Sequence, residues 1–155
     1  MGETLYERDF QLWIEQTVRQ LQQRQFEGLD IDHLIEELAE LGKAERNALK
    51  SNLTILLAHL LKLRVQSDAP EMMKRSWYSS VLEHRQRVLD SLDNTPSLKG
   101  YVEQAVEQAY PNACKLAIKE GKLAKLGVRL PDESEYPVVC PFAIAQILDE
   151  DFFGV

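Results

Sequence analysis

The side chains best suited to chemistry in this 155-residue chain are scattered along it. His33, His59 and His84 fall in three separate segments, each of which carries helical periodicity. A helical bundle can gather three imidazoles around a divalent metal, which takes neutral nitrogen donors at about 2.0–2.1 Å. Glu36, Glu37 and Glu40 could add carboxylates to such a site. The chain has no local two-ligand anchor of the HxxxH, ExxH or CxxC kind, so no metal site is assigned. His33 and Glu37, four residues apart, also fit an ordinary surface pair. Glu36 and Glu40 share a helix face, where paired carboxylates could supply a general acid and base. A solvated acidic face near a helix N-terminus, with Lys43 answering Glu40, is the simpler account.

Nucleophilic chemistry has less to build on. Cys114 lies on an alanine-rich helical face, where a thiol acts as a small apolar group. Cys140 precedes Pro141 at an expected helix start, a place that lowers a thiol's pKa. No GxSxG, HExxH, P-loop or GxGxxG pattern is present, so no catalytic residue and no cofactor are assigned.

The one electrostatic anomaly is the segment His59–Arg87. Its Lys62, Arg64, Lys74, Arg75, Arg85 and Arg87 oppose Asp68, Glu71 and Glu83, net +3, so the remainder of a chain of charge −7 carries −10. His59, Lys62 and Gln66 form a polar row along the end of a leucine-rich helix. Helix C-termini favour cations by about 0.3–1 kcal/mol, which accounts for some of these positive charges. Trp77, beside Arg75, either closes the end of a bundle with its indole N–H on a carbonyl or stands exposed to stack a base. The candidate binding residues are therefore His59, Lys62, Gln66, Arg75, Trp77 and Arg85, with Glu37 from the acidic face.

The elements that must position these residues are helical. Tyr6, Phe10, Trp13, Ile14, Val18 and Leu21 predict one amphipathic helix over about Leu5–Gln23. Gly28 supplies a turn, Asp30 an N-cap, and Ile31, Leu34, Ile35, Leu38 and Leu41 the apolar stripe of the next helix. Gly42 either ends that helix or sits inside it. The segment from about Lys43 to Gln66 is apolar on most of its circumference, which predicts a central helix touched by several neighbours. Pro70 opens the next helix, which DNTPS ends. Ser97 or Thr95 caps the following one, Pro111 kinks it, and Gly121 caps its end. Residues 126–141 hold three prolines and read as a loop packed along the body, and PFAIAQILDEDFF reads as a short amphipathic helix with Phe152 and Phe153 docked.

The expected fold is thus all-α: a single-domain helical bundle over 1–155, with about five main helices, a Pro-rich loop and a short C-terminal helix. No apolar run reaches the roughly 18 residues of a membrane span, no signal peptide is visible, and two distant cysteines suit a cytoplasmic protein. The acidic balance disfavours non-specific binding to nucleic acid or anionic membranes.

The motifs YERDFQLW, GLD, IEELAELG, AHLLKLRVQ, SW, HR, PSL, AY, CPF and LDEDFF, in that order, resemble the bacterial domain-of-unknown-function family numbered 29, which is abundant in cyanobacteria. The resemblance implies an all-helical fold and carries over no catalytic residue. Where the family commonly shows an aromatic after the LD pair this chain has Ile31, and where it shows glutamine before an arginine this chain has His84. His33 and His84 are therefore poor candidates for a shared activity, and His59, within HLLK, is the better one.

The expected function is a non-enzymatic binding or regulatory module. It would engage a protein partner or a second copy of itself, the acidic Asp32–Glu40 face meeting the basic segment. The alternatives are a small enzyme, hydrolytic or metal-dependent, around His59, Lys62 and Glu36 or Glu37, and a binder of phosphate or short nucleic acid through His59–Arg87.

Overall fold

The computed structural model of the chain describes residues 2–123 and 129–155. Its helices are α1 (Leu5–Arg8), α2 (Phe10–Gln22), α3 (Ile31–Val65), α4 (Glu71–Asn94), α5 (Val102–Leu123) and α6 (Ile144–Leu148), with 3-10 turns at Pro96–Tyr101 and Glu133–Glu135. Among the described residues there is no strand, and the all-α class read from the periodicity is the class observed. Two compact units divide the chain, Met1–Ala44 and Glu45–Val155. Their boundary falls inside α3, a continuous helix, where no linker composition could mark it.

In the first unit the single helix expected over Leu5–Gln23 is broken at Asp9. Two caps compete for the same stretch. The Thr4 hydroxyl accepts from the Glu7 amide while the Glu7 carboxylate accepts from the Thr4 amide, closing a capping box on α1. Asp9 then takes a non-helical conformation (φ −150°) so that its carboxylate can accept from the Leu12 amide at 3.1 Å, starting α2. Gly28, at φ +82°, makes the turn that follows. Asp30 accepts from the His33 amide at 3.4 Å, as expected of an N-cap, and Gly42 sits inside α3.

The second unit is built on the later turns of α3. Leu49, Leu53, Leu56, Leu57, Leu60 and Leu61 are all wholly buried. These six occupy a sector of about 140° of the helix, and buried Ala58, Lys62 and Leu63 fill other sides, so its last turns are enclosed by their neighbours; each fully buried leucine contributes about 1.5–3 kcal/mol relative to exposure. From α4 come Trp77, Val81, Val88 and Leu92. From α5 comes a seam of Ala105, Ala109, Ala113 and Ala117, one every four residues and all fully buried. Small side chains at that spacing let helix axes approach closely. α5 runs through Pro111 without ending, because that residue lies on the exposed face, where water can take the carbonyl it leaves unpaired.

Three other expectations are corrected. The final helix is only Ile144–Leu148, although Phe152 and Phe153 do pack on the core, half-buried. Thr95 precedes a 3-10 turn rather than an α-helix and makes no side-chain cap. Gly121 does not end α5, which continues to Leu123. Of the predicted Pro-rich loop, residues 126–128 lie outside the described residues, and the remainder has one short 3-10 turn.

Candidate functional site

The last turn of α3 interrupts its leucines with Lys62, and Gln66 follows directly after Val65, both buried despite being polar. Burying an ammonium is costly unless it is paired. Lys62 Nζ donates to the Glu120 carboxylate of α5 and sits 5.4 Å from the centroid of the Trp77 ring, a cation–π contact. One turn on, the Gln66 side-chain amide donates to the Tyr136 hydroxyl at 3.4 Å. One turn earlier stands His59, half-buried, with Nδ1 2.9 Å from the Ile55 carbonyl and Nε2 4.0 Å from Glu120 Oε2.

A carbonyl only accepts, so His59 carries its proton on Nδ1 and leaves Nε2 as a lone pair toward Glu120. Burial holds the imidazole below the usual histidine range, and the Lys62 ammonium adds to the effect. The ring is thus neutral at pH 7. Ser80 Oγ lies 3.2 Å from Nδ1 of both His59 and His84, and His84 Nδ1 donates to the Ser80 carbonyl at 2.8 Å. The serine therefore faces the wrong nitrogen of His59 for that ring to act as its base.

Lys62, Gln66 and Glu120, but not His59 or Ser80, border a cleft of about 310 Å³. Lys62, Gln66 and Glu120 form its polar side, Trp77 and Met73 an apolar side, and Gly121 its base. Gly121 extends the four-residue alanine seam of α5. A β-carbon there would stand 3.4 Å from Gln66 Nε2 and 3.5 Å from the Tyr136 hydroxyl, so the glycine keeps room for the polar side chains.

Of the residues singled out in the sequence, His59, Lys62, Gln66 and Trp77 come together. Arg75 is exposed on α4. Arg85 is fully buried on another face of α4, where Nε donates to the Ile147 carbonyl at 2.8 Å and its terminal nitrogens to the carbonyls of Phe152 at 2.6 Å and Glu150 at 3.5 Å. It clamps the C-terminal segment. Glu37 belongs to the first unit, where its carboxylate accepts from the Tyr6 hydroxyl, a bond that pushes that phenol up to about 12. The His33–Glu37 pair does not form; His33 stacks on Tyr6 and pairs with Asp30 at 2.6 Å.

Four of the six cations in the basic segment are engaged within the chain. Lys62 answers Glu120, Lys74 answers Glu71, Arg87 answers Glu83, and Arg85 answers carbonyls. Trp77 is buried and its face is turned to Lys62, so it offers no exposed platform for a base. Cys140 precedes no helix, and burial raises its thiol rather than lowering it. Among the described residues no three His, Cys, Asp or Glu side chains stand close enough to hold a metal ion. Nor is any described helix long and apolar enough to cross a membrane.

Glu120, Met73 and Tyr136 were not singled out from the sequence, and Gly121 was read only as a helix cap. Glu120 and Gly121 carried a signal, standing three and four residues beyond Ala117 on the continuation of the alanine seam. Tyr136 carried none, since it arrives from a loop.

The family model described as domain of unknown function DUF29 matches residues 5–153, nearly the whole chain. The chain belongs to this family. No curated protein matches the DUF29 chain, and no solved structure matches it.

Proposed function

We propose that this DUF29 chain is a non-enzymatic binding module whose ligand site is the cleft at the C-terminal end of α3. The observation that carries the proposal is the burial of Lys62 and Gln66 at the mouth of that cleft. Each is paired within the chain, Lys62 with Glu120 and Gln66 with Tyr136, and the donors each has beyond that one bond are what a ligand in the cleft would meet. The Glu120 carboxylate, which accepts from Lys62 through Oε2, is the acceptor of the cleft, and the His59 Nε2 lone pair stands 4.0 Å from that oxygen, outside the cleft lining. Lys62 and Gln66 supply donors beside the carboxylate, and Trp77 and Met73 an apolar wall. The complementary ligand is a small molecule or peptide segment with a donor next to an acceptor and an apolar flank, as in an amide or an amino-acid zwitterion. Binding is favoured because Lys62 and Glu120, the groups in the cleft capable of nucleophilic attack, are engaged with each other, and no Ser, Thr or Cys borders it among the described residues.

Nuclear magnetic resonance titration of the isotope-labelled chain tests this. The probes are glycylglycine, N-acetyl-leucine amide and leucine. At least one should shift the Trp77 indole and Gln66 amide resonances at millimolar concentration, and Lys62→Met should abolish the shift. Resonances unmoved by all three probes, or moved equally in Lys62→Met, would overturn the proposal.

A further inference from the structure

The first unit, Met1–Ala44, leaves its best apolar surface uncovered. Phe10, Val18 and Leu21 of α2 and Leu34, Leu38 and Leu41 of α3 border one groove of about 360 Å³. Its lining holds a single charged residue, Glu37, which already accepts from Tyr6. Leu38 is 60% exposed, Leu41 64% and nearby Ile35 59%, values opposite to those expected of a packed stripe. The spacing is that of a helix-pairing seam. Ile31, Leu34, Leu38 and Leu41 step by three, four and three residues, and Ile14, Val18 and Leu21 by four and three.

We infer that this groove is a homodimer interface, in which the two helices of one copy pack face to face on those of a second copy as a four-helix bundle. Three features select a second copy over a different partner. The groove-lining Phe10, Val18, Leu21, Leu38 and Leu41, with flanking Ile31 and Ile35, present on the order of 600 Å² per copy, so two copies together clear the roughly 1,000 Å² a specific interface needs. The groove displays no charge pattern that would recognise a charged ligand or peptide. Two paired helices with an open seam are self-complementary under a two-fold axis, the commonest symmetry of oligomers. The inference is independent of the cleft in the second unit.

The unit holds ten Asp or Glu against four Lys or Arg, net −6, so copies brought together through it repel. Salt screens that repulsion. The apolar dimer should therefore persist or tighten as salt rises, whereas pairing of the acidic face with the basic segment should weaken.

Sedimentation velocity of the full chain at 20 mM and 500 mM NaCl, from 1 to 200 µM, decides the matter. The expected result is twice the 17.8 kDa chain mass, with a dimer at least as stable at high salt. The double variant Leu38→Glu/Leu41→Glu changes two exposed residues, and circular dichroism verifies that its helicity is retained. It should dimerise more than about 100-fold more weakly, because four buried leucines per dimer are replaced by charges. A monomer at 200 µM, a dimer that dissociates in salt, or a double variant that still dimerises would overturn the inference.

Discussion

Removing the charge of Lys62 should leave the second unit as stable as before, whereas removing its partner should not. Lys62 is 6% exposed in its side chain and Glu120 35%. In Glu120→Gln the ammonium stays buried and loses its counter-charge, a change that costs about 3–5 kcal/mol for a fully enclosed pair. The Trp77 ring face returns about 1 kcal/mol and the open side of Glu120 admits water, so the expected cost is about 2 kcal/mol. In Lys62→Met the apolar stem remains in place, the buried charge disappears, and the Glu120 carboxylate rehydrates. That variant should lie within about 1 kcal/mol of the parent, on either side. The double variant should resemble Lys62→Met. Urea denaturation followed by Trp77 fluorescence, in a Trp13→Phe background, reads the series. With a slope near 2 kcal/mol/M, Glu120→Gln should move the midpoint down by about 1 M. If Lys62→Met is the more damaging of the two, the ammonium is a structural anchor, and its retention needs no ligand to explain it.

The two perturbed histidines should give opposite pH responses. His59 is held below its ordinary 6.5 by burial, so the unfolded chain takes up the proton first and stability falls as pH drops through about 6.5; His59→Gln should remove that slope. His33 is raised by its Asp30 partner, so its contribution is present below 6.5 and lost as pH rises through the folded-state value; melting temperatures of His33→Gln between pH 5 and 8 should show this loss removed. Gly154, at φ +90°, would place a β-carbon 2.6 Å from the Leu60 carbonyl, and Gly154→Ala should cost about 2 kcal/mol or more by denaturant titration. Gly28, at φ +82° in open space, should lose only about 1 kcal/mol as alanine. Arg85→Met should cost about 3 kcal/mol and expose the segment after Ile147 to limited proteolysis; Arg85→Lys should recover less than half, since an ammonium cannot fork between carbonyls.

What the sequence announced and what it concealed divide along a physical line. A helix apolar over most of its circumference calls for neighbours on most sides, so the central role of the later turns of α3 was legible, and so was the border position of His59. Trp77 was legible as one of two alternatives, and burial decided between them. The break at Asp9 was hidden because apolar periodicity runs straight through it, while the caps of Thr4 and Asp9 act through side-chain oxygens. Glu120 was hidden because pairing across helices depends on rotation about two axes at once. Arg85 misled for a related reason: a guanidinium among other cations reads as part of a patch, yet its partners are backbone carbonyls some sixty positions away, which no charge count reveals.

That arginine grips main-chain oxygens, and every residue type offers the same oxygen. Its hydrogen bonds read the tail by its trace and not by its letters, while Phe152 and Phe153 dock through their own rings. Drift in the identities of Glu150 or Phe152 would leave the grip untouched, provided the path is kept. The burden of fidelity therefore falls on the clasp at Arg85, on the notch at Gly154 that lets the tail lie against α3, and on the two docked phenylalanines.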